Sequence, residues 1–279
     1  MSNLANRLLT AAVAAPIILG ILYKLPPIAT FALAGTAMLL AAWEFFGLSH
    51  SEDSFGRIFG TGTTLALYSV LLYTRFGEVH PNLTIVAFAL IAPLALLVSL
   101  FRPERIRTAF LEIGASVLGP LSVGGLMATI ALLRAVGTHT EGAGLVVLAL
   151  MLAWMGDTGG YFVGKRFGGP KLYAAVSPNK TWSGAAGSLT GSLLGIVIAH
   201  FTFLPTFPLV PGLILGAVAG ILGQLGDLCE SVLKRSVGVK DSGAVLPGHG
   251  GFLDRIDAVV FASATLYLAL RAGWITLGQ

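Results

Sequence analysis

Long apolar segments alternate with short polar segments along the whole chain. Nine of the apolar segments approach the length of about 20 residues that an α-helix needs to cross a bilayer. They are Arg7–Tyr23, Ile28–Leu48, Ile58–Tyr73, Leu83–Leu100, Glu112–Arg134, Gly144–Val163, Ser183–Leu204, Val210–Cys229 and Ile256–Trp274. The pattern predicts an all-α fold, a polytopic transmembrane helical bundle of about nine spans, in which the third segment is the weakest.

Basic residues between the segments predict how the chain is oriented, because cytoplasmic loops carry an excess of Lys and Arg. With a cytoplasmic N-terminus, 13 of the 17 basic residues fall on the cytoplasmic side. We therefore predict a cytoplasmic N-terminus and two regions. Residues 1–143 form about five N-terminal spans, and residues 144–279 form a catalytic region of about four spans with cytoplasmic loops at 164–182 and 230–255.

Composition agrees with a membrane protein. Only 11% of the residues are charged and 55% are hydrophobic, whereas soluble domains are about 25% charged. The net charge of +4 comes from residues between apolar segments, which favours contact with anionic membrane lipid over binding to nucleic acid. A single cysteine, Cys229, excludes an intramolecular disulfide and a multi-cysteine metal site.

Charged residues concentrate near the C-terminus. The segment from Gly226 to Asp257 reads GDLCESVLKRSVGVKDSGAVLPGHGGFLDRID and holds nine of the 30 charged residues. Asp227, Ser231 and Lys234 lie on one helix face, and Asp254 and Asp257 share a face of the next helix. Two sets of carboxylates could therefore converge. Such oxygen ligands suit Mg²⁺ bound together with substrate phosphates, so we predict a magnesium and phosphate site here.

Basic residues accompany these carboxylates and could hold phosphate groups, with arginine able to bind in a bidentate manner. They are Lys234, Arg235, Lys240 and Arg255. The turn Pro247–Gly251 lets the backbone approach a ligand closely, and His249 could donate to a phosphate oxygen. The alternative interpretation is that the charges form a buried structural salt bridge.

A second polar cluster runs from Trp154 to Gly184. Asp157 lies late in the sixth predicted span, and an ionisable residue inside a membrane is a functional candidate by default. Ser177, Lys180 and Thr181 could bind phosphate at the start of the seventh span, where the helix N-terminus adds partial positive charge. The alternative is that these hydroxyl groups cap the helix.

Glycines recur every four residues in two spans, at Gly187, Gly191 and Gly195 and at Gly212, Gly216 and Gly220. Small residues at this spacing let helices pack closely in a membrane. Two interpretations stay open, which are packing within one subunit and a dimer interface.

The segment from Ser231 to Asp257 resembles the signature of the phosphatidate cytidylyltransferases, or CDP-diacylglycerol synthases. The family pattern is S, then KR, KD, PGHGG and DRxD, and every element occurs here at the family spacing over 27 residues. Residues 157–184 are similar to a second family segment. There the family commonly has alanine at the position of Gly160 and glutamate at the position of Ser183, which puts a carboxylate function at position 183 in doubt.

The resemblance implies a bacterial plasma membrane enzyme, working as a homodimer, that condenses CTP with phosphatidic acid to CDP-diacylglycerol and pyrophosphate. It implies a cytoplasmic active site that uses Mg²⁺, with a second cation such as K⁺. The metal carboxylates would be Asp227, Asp254 and Asp257. The other site residues would be Lys234, Arg235, Lys240, Asp241 and Arg255 in catalysis, and Asp157, Ser177, Lys180, Thr181, Ser231, His249 and Gly250 in substrate binding.

Three alternatives remain. One is a CTP-dependent lipid kinase, and another is a cytidylyltransferase that acts on a different lipid phosphate. The third belongs to a different class, a membrane transporter, for which Asp157 and Asp227 inside glycine-broken helices would be the signs. A crowding of polar residues on one side of the membrane disfavours the transporter.

Overall fold

The computed structural model describes residues 3–76, 82–243 and 250–278, with side chains from residue 12 onward, and is helical over most of that range. The helices are α1 (Asn3–Lys24), α2 (Pro27–Ser49), α3 (Ser54–Phe76), α4 (Asn82–Leu100), α5 (Ala109–Gly119), α6 (Leu126–Arg134), α7 (His139–Phe167), α8 (Trp182–Phe201), α9 (Leu209–Ser236) and α10 (Leu253–Arg271). A 3₁₀ turn at Pro103–Arg105 precedes α5, and a π-helical segment at Pro120–Gly125 joins α5 to α6.

Each predicted apolar segment overlaps a helix, and the fifth is the continuous run from α5 to α6. Within the described residues, six helices are long and apolar enough to cross a membrane by length and composition. They are α2, α4, the α5–α6 run, α7, α8 and α9. The chain is therefore a helical integral membrane protein, whereas the count of nine spans stays a prediction.

One of the two predicted cytoplasmic segments contains a β-hairpin. Strands β1 (Lys171–Tyr173) and β2 (Ser177–Thr181) pair antiparallel within the otherwise helical fold. Helix α7 continues to Phe167 and α9 to Ser236, so both extend into the predicted segments 164–182 and 230–255. Both helices end in basic residues, which are favourable beside the negative end of the helix dipole.

The backbone divides into two compact units. Unit 1 comprises Met1–Thr30, Leu133–Lys240 and Asp254–Gln279, and unit 2 comprises Phe31–Leu132 and Asp241–Leu253. Unit 1 contains helices α7, α8 and α9 and the β-hairpin. Unit 2 contains α3 to α5 and the segment that follows Lys240.

Glycines set the distance between helices in unit 1. A Cβ atom on Gly159 would lie 2.3 Å from the carbonyl oxygen of Gly187, and one on Gly191 would lie 2.2 Å from that of Met155. No other residue fits at such distances, so the backbones of α7 and α8 are in direct contact. On the second glycine stripe, a Cβ on Gly216 would lie 2.6 Å from Ile196. Packing within one subunit is therefore confirmed for both stripes.

An ion pair joins two turns of unit 2. Both terminal nitrogens of Arg102 donate to the Asp53 carboxylate, at 2.5 and 2.8 Å. Asp53 is only 5% exposed and directly precedes α3. The hydrogen bond from Arg102 lowers the pKa of Asp53 from 3.8 to about 2. The ionised carboxylate thus ties the start of α3 to the turn after α4.

This pair makes stability depend on pH in a defined direction. Because the folded-state pKa of Asp53 is lowered, the pair stabilises the fold above about pH 4 and loses that contribution as the pH falls toward about 2. We expect Asp53→Asn to lower the free energy of unfolding near neutral pH by about 1 kcal/mol, after allowing for partial solvation of Arg102. Thermal melts in detergent should show the difference between the two proteins shrinking below about pH 4.

Glu104→Gln is the matched control, because Glu104 lies 3.4 Å from the same Arg102 but is exposed. It should leave the melting temperature close to that of the wild type. A destabilisation by Asp53→Asn that stays constant across the acidic range would contradict the assignment to an ionised carboxylate.

Candidate active site

A polar cavity of about 510 Å³ opens in unit 1 between α7, α8, α9 and the β-hairpin. Its lining comprises Gly156, Asp157, Gly160, Tyr161, Gly164, Lys165, Leu172, Asn179, Lys180, Thr181, Gly184, Ala185, Ser188, Gln224 and Asp227. Three of these, Asp157, Lys180 and Thr181, are predicted substrate-binding residues, and Asp227 is a predicted metal ligand. The cavity thus unites residues that lie about 70 positions apart in the chain.

The hairpin presents Lys180 to this cavity. Strand β2 ends at Thr181, whose side-chain oxygen accepts a hydrogen bond from the backbone N–H of Gly184 at 3.1 Å. Thr181 is therefore the N-cap of α8, and the capping interpretation is confirmed for this residue. Ser177, at the other end of β2, pairs with Tyr173 in the hairpin. Lys180 is thus fixed close to the start of the helix.

Lys180 forms an ion pair with Asp227. Its Nζ atom donates to the Asp227 carboxylate at 2.6 Å, and both side chains are about 30% exposed. The Ser231 hydroxyl lies 3.5 Å from the other carboxylate oxygen, which is long for a hydrogen bond. One cation and one anion therefore stand side by side on the wall of the cavity.

A second, more deeply buried charge cluster joins α9 to α10. Lys234 lies 3.1 Å from Glu230 and donates to Asp254, and none of the three side chains is more than 12% exposed. Lys234 therefore forms a buried structural ion pair, which was the alternative interpretation of the sequence. Removing one member of such a buried cluster would leave an uncompensated charge, which typically costs about 3 kcal/mol or more.

Carboxylates from three helices gather in unit 1. Asp257 on α10 lies close enough to Asp227 and Asp157 for their charges to interact, and Glu230 interacts with Asp257 in the same way. The Oε1 atom of the buried Glu230 lies 3.1 Å from Lys234. The carboxyl groups of this cluster outnumber its two lysines, and carboxylate oxygens are the ligands that a hard cation prefers.

The three predicted metal ligands do not meet at one point. Among the described residues, the group whose ligand atoms all lie within 4.8 Å of one another is His50, Asp53 and Glu112 in unit 2. Its two carboxylates are already bonded to Arg102 and Arg105, which offset their charge without a metal. Asp227 and Asp254 instead each bond a lysine.

The other predicted site residues lie at the surface or outside the described residues. Arg235, Lys240, Asp241 and Arg255 are exposed, and Arg235 donates to the backbone oxygen of Val239 at 2.7 Å. Asp241 and Gly250 belong to unit 2, where Gly250 has a φ of 78°. His249 and the rest of residues 244–249 lie outside the described part of the chain.

Gly160 and Ser183, which depart from the family pattern, each make a defined local contact in this structure. An alanine at Gly160 would place its Cβ 3.3 Å from the carbonyl oxygen of Gly184, which is a tight contact between α7 and α8. The Ser183 hydroxyl donates to the backbone oxygen of Gly168 at 2.5 Å and fastens the end of α7. The serine at position 183 thus has a defined hydrogen-bond partner in this chain.

Sequence reasoning missed Gln224 and undervalued Lys165. Gln224 lines the cavity and donates to the backbone oxygen of Ala185 at 3.3 Å. A polar amide in the middle of an apolar helix was the available signal. Lys165 was counted only among the basic residues that predict the orientation of the chain, yet it lines the cavity as well.

An apolar cleft of about 440 Å³ adjoins the polar cavity. It is lined by Leu172, Trp182, Ala185, Ala186, Leu189, Ile221, Gln224, Leu225 and Leu228. Leu172, Ala185 and Gln224 line both spaces. The site is therefore amphipathic, with charged groups on one side of these three residues and apolar groups on the other.

Comparison with known proteins places the chain in a family. A family model described as "Cytidylyltransferase family" matches residues 5–272. The phosphatidate cytidylyltransferase of Brucella suis biovar 1 is 35% identical over 276 residues, which cover 96% of this chain and 93% of that protein. The enzyme of the same name from Pseudomonas aeruginosa is 36% identical over 283 residues, with 97% and 98% covered. The chain belongs to the cytidylyltransferase family.

Proposed function

We propose that this protein condenses CTP with phosphatidate to give CDP-diacylglycerol and pyrophosphate. The observation that carries the proposal is the amphipathic site of unit 1, in a chain that resembles phosphatidate cytidylyltransferases over nearly its full length. A charged cavity suits a nucleotide and a phosphate, and the adjoining apolar cleft suits a lipid. A water-soluble phosphate acceptor would have no need of the cleft.

The chemistry is nucleotidyl transfer. An oxygen of the phosphatidate phosphate attacks the α-phosphorus of CTP, a new P–O bond forms, and the bond from that phosphorus to the bridging oxygen of the β-phosphate breaks. Pyrophosphate carries away the electron pair. Phosphatidate needs no protein nucleophile to activate it, because a phosphate monoester carries a charge of about −1.5 to −2 at neutral pH. The protein acts by positioning and by offsetting charge.

Lys180 is the best-placed cation for this purpose, since it lines the cavity and is held by Asp227. A phosphate group that entered the cavity would compete with Asp227 for Lys180. We propose that Arg235, Lys240 and Arg255, which are exposed, contact the triphosphate or the phosphatidate headgroup. Lys234 is already bonded to two carboxylates, so its main task is to hold α9 against α10.

The carboxylates are the type of ligand that a divalent cation prefers, although the oxygens of the three predicted ligands do not converge on one point in this structure. Asp157, Asp227 and Asp257 supply hard oxygen ligands whose charges interact across α7, α9 and α10, and Asp254 lies one helical turn before Asp257. We propose that Asp227, Asp254 and Asp257 hold Mg²⁺, with K⁺ as a second cation. Bound there, Mg²⁺ would supply positive charge that offsets the triphosphate and the departing pyrophosphate.

We further propose nine spans with a cytoplasmic N-terminus, which place the site at the cytoplasmic face of a bacterial plasma membrane. The distribution of Lys and Arg supports this orientation. It puts the charged cavity in contact with cytosolic CTP. A homodimer is proposed from the family resemblance, and the basic residues are assigned to lipid headgroups and nucleotide phosphates with no nucleic acid partner.

The phosphatidate acyl chains are proposed to leave through the apolar cleft. The phosphate of the lipid must reach Lys180. Its acyl chains are apolar, and placing them in the charged cavity would remove water from the charged groups without giving those groups new partners. Leu172, Ala185 and Gln224 border both spaces, so a lipid could span them without crossing a helix. Ile221 and Leu225 of α9 line the cleft, and each is 49% exposed.

The metal assignment predicts a clear loss of activity. Wild-type protein in detergent should release pyrophosphate only when CTP, phosphatidate and Mg²⁺ are all present. Asp227→Asn and Asp254→Asn should each lower kcat about 100-fold or more, because a neutral amide is a poor ligand for Mg²⁺. Asp227→Asn should also lose the rise in melting temperature that CTP with Mg²⁺ gives the wild type.

Glu52→Gln is the control for loss of a carboxylate, since Glu52 is exposed in the turn after α2. It should retain full activity and the full thermal response to CTP with Mg²⁺. Near wild-type turnover by folded Asp227→Asn or Asp254→Asn would contradict the metal assignment for that residue.

The cleft predicts a dependence on acyl-chain length. Ala186 lines the cleft but not the polar cavity, so Ala186→Phe should fill the cleft and leave the cavity intact. We expect it to reduce kcat/KM for phosphatidate with long chains about tenfold and to change that for a short-chain analogue little, since each buried CH₂ contributes about 0.8 kcal/mol. Val218→Phe, on an exposed face of α9 outside the cleft, is the matched control. Equal losses for both chain lengths would contradict the acyl-chain route.

A further inference from the structure

Glu44 is a buried carboxylate in an otherwise uncharged helix. It is the only charged residue among the 23 residues of α2 and is 3% exposed. An ionisable group in an apolar helix is costly unless it bonds to something. No Lys or Arg forms a salt bridge with it among the described residues. Its partners must therefore be hydrogen-bond donors.

Those donors come from a segment about 200 residues later in the chain. The Oε2 atom of Glu44 accepts from the Ser242 hydroxyl at 3.1 Å and from the backbone N–H of Leu253 at 2.9 Å. Ser242 and Leu253 are each 7% exposed. All three residues belong to unit 2. One carboxylate oxygen thus holds both ends of the segment from Asp241 to Leu253, which we call the signature loop.

The backbone at Gly243 and at Gly251 lies directly against this carboxylate. A Cβ atom on Gly243 would lie 2.5 Å from Oε1 of Glu44, and one on Gly251 would lie 2.7 Å from Oε2. Any side chain at either position would displace the carboxylate. Gly251 is the last glycine of the PGHGG element, so at least one glycine of the signature leaves room for Glu44.

The arrangement is not optimised for stability alone. Oε1 of Glu44 is buried and accepts no hydrogen bond among the described residues. A buried oxygen in that state costs free energy relative to an apolar side chain of similar size. Retaining it is understandable if the position of the loop matters more than the stability of α2.

We propose that Glu44 is a positioning residue for cytidylyl transfer, which fixes the two ends of the signature loop. The inference rests on the proposed function. The loop begins with Asp241 and contains Gly250, and Leu253, whose N–H donates to Glu44, is followed at once by Asp254. Glu44 itself touches no substrate. It acts by holding Ser242 and Leu253, the residue directly before Asp254, and so lowers the entropy lost when these residues are ordered for the reaction.

Glu44→Gln preserves the size of the side chain and keeps one acceptor oxygen, but it replaces the other oxygen with an NH₂ group that cannot accept a hydrogen bond. We expect kcat to fall about tenfold, because the loop would adopt its productive conformation less often. The KM for CTP should change less than about threefold, because the groups that bind CTP stay in place. The melting temperature in detergent should stay near the wild-type value.

Hydrogen–deuterium exchange provides a readout that is independent of activity. In Glu44→Gln, peptides that cover residues 241–253 should exchange faster, with the amide of Leu253 among them, while peptides from α7 and α8 should not change. Ser242→Ala removes one of the two bonds without altering α2, so it should give a smaller effect in the same direction. Combined with Glu44→Gln it should add little, because both changes break the same contact.

Glu52→Gln, eight residues along the chain and exposed, is the matched control and should leave kcat and exchange unchanged. Unchanged kcat with faster exchange in the loop would overturn the positioning function. Faster exchange throughout the protein with loss of kcat would reduce Glu44 to a structural brace, and Ser242→Ala then decides whether the loop contact alone lowers kcat. If the wild type lacks cytidylyl transfer but Glu44→Gln still loosens the loop, the proposed function fails while the contact stands.

Discussion

A charged group inside a bundle solvated by lipid must find an opposite charge or a set of donors, because unpaired burial is costly. The ion pairs of the proposed site follow from this constraint. Lys180 holds Asp227, and Lys234 lies between Glu230 and Asp254. These pairs order the carboxyl groups before any substrate arrives. A divalent cation bound there would offset the remaining carboxylates together with the phosphates of the two substrates.

Close packing of backbones gives this chemistry its place. Glycines bring α7 and α8 into direct contact, and the hairpin then carries Lys180 to the cavity beside α9. The packing leaves one polar space and one apolar space with a shared border. An enzyme that joins a water-soluble nucleotide to a lipid phosphate requires such a border. The fold therefore supports the proposed function by geometry as well as by family resemblance.

Hydropathy predicted the helices because burial in lipid demands long apolar segments, and the polar clusters predicted Asp227, Lys180 and Asp157 as site residues without placing them in one cavity. The hairpin escaped prediction because its two strands span only three and five residues. Glu44 escaped because the search for chemistry followed charge clusters, whereas its partners are a hydroxyl and a backbone N–H far away in sequence. A single acid in an uncharged helix was the signal. Residues 244–249, which include His249, lie outside the described structure.

The central claim is that the cytidylyl group, and not a terminal phosphate, passes from CTP to the lipid. Purified protein should be given phosphatidate, Mg²⁺ and CTP labelled at either the α- or the γ-phosphorus. The account predicts that the α-label enters the lipid product and that the γ-label is recovered in pyrophosphate. Recovery of the γ-label in the lipid would contradict it and would identify a lipid kinase instead.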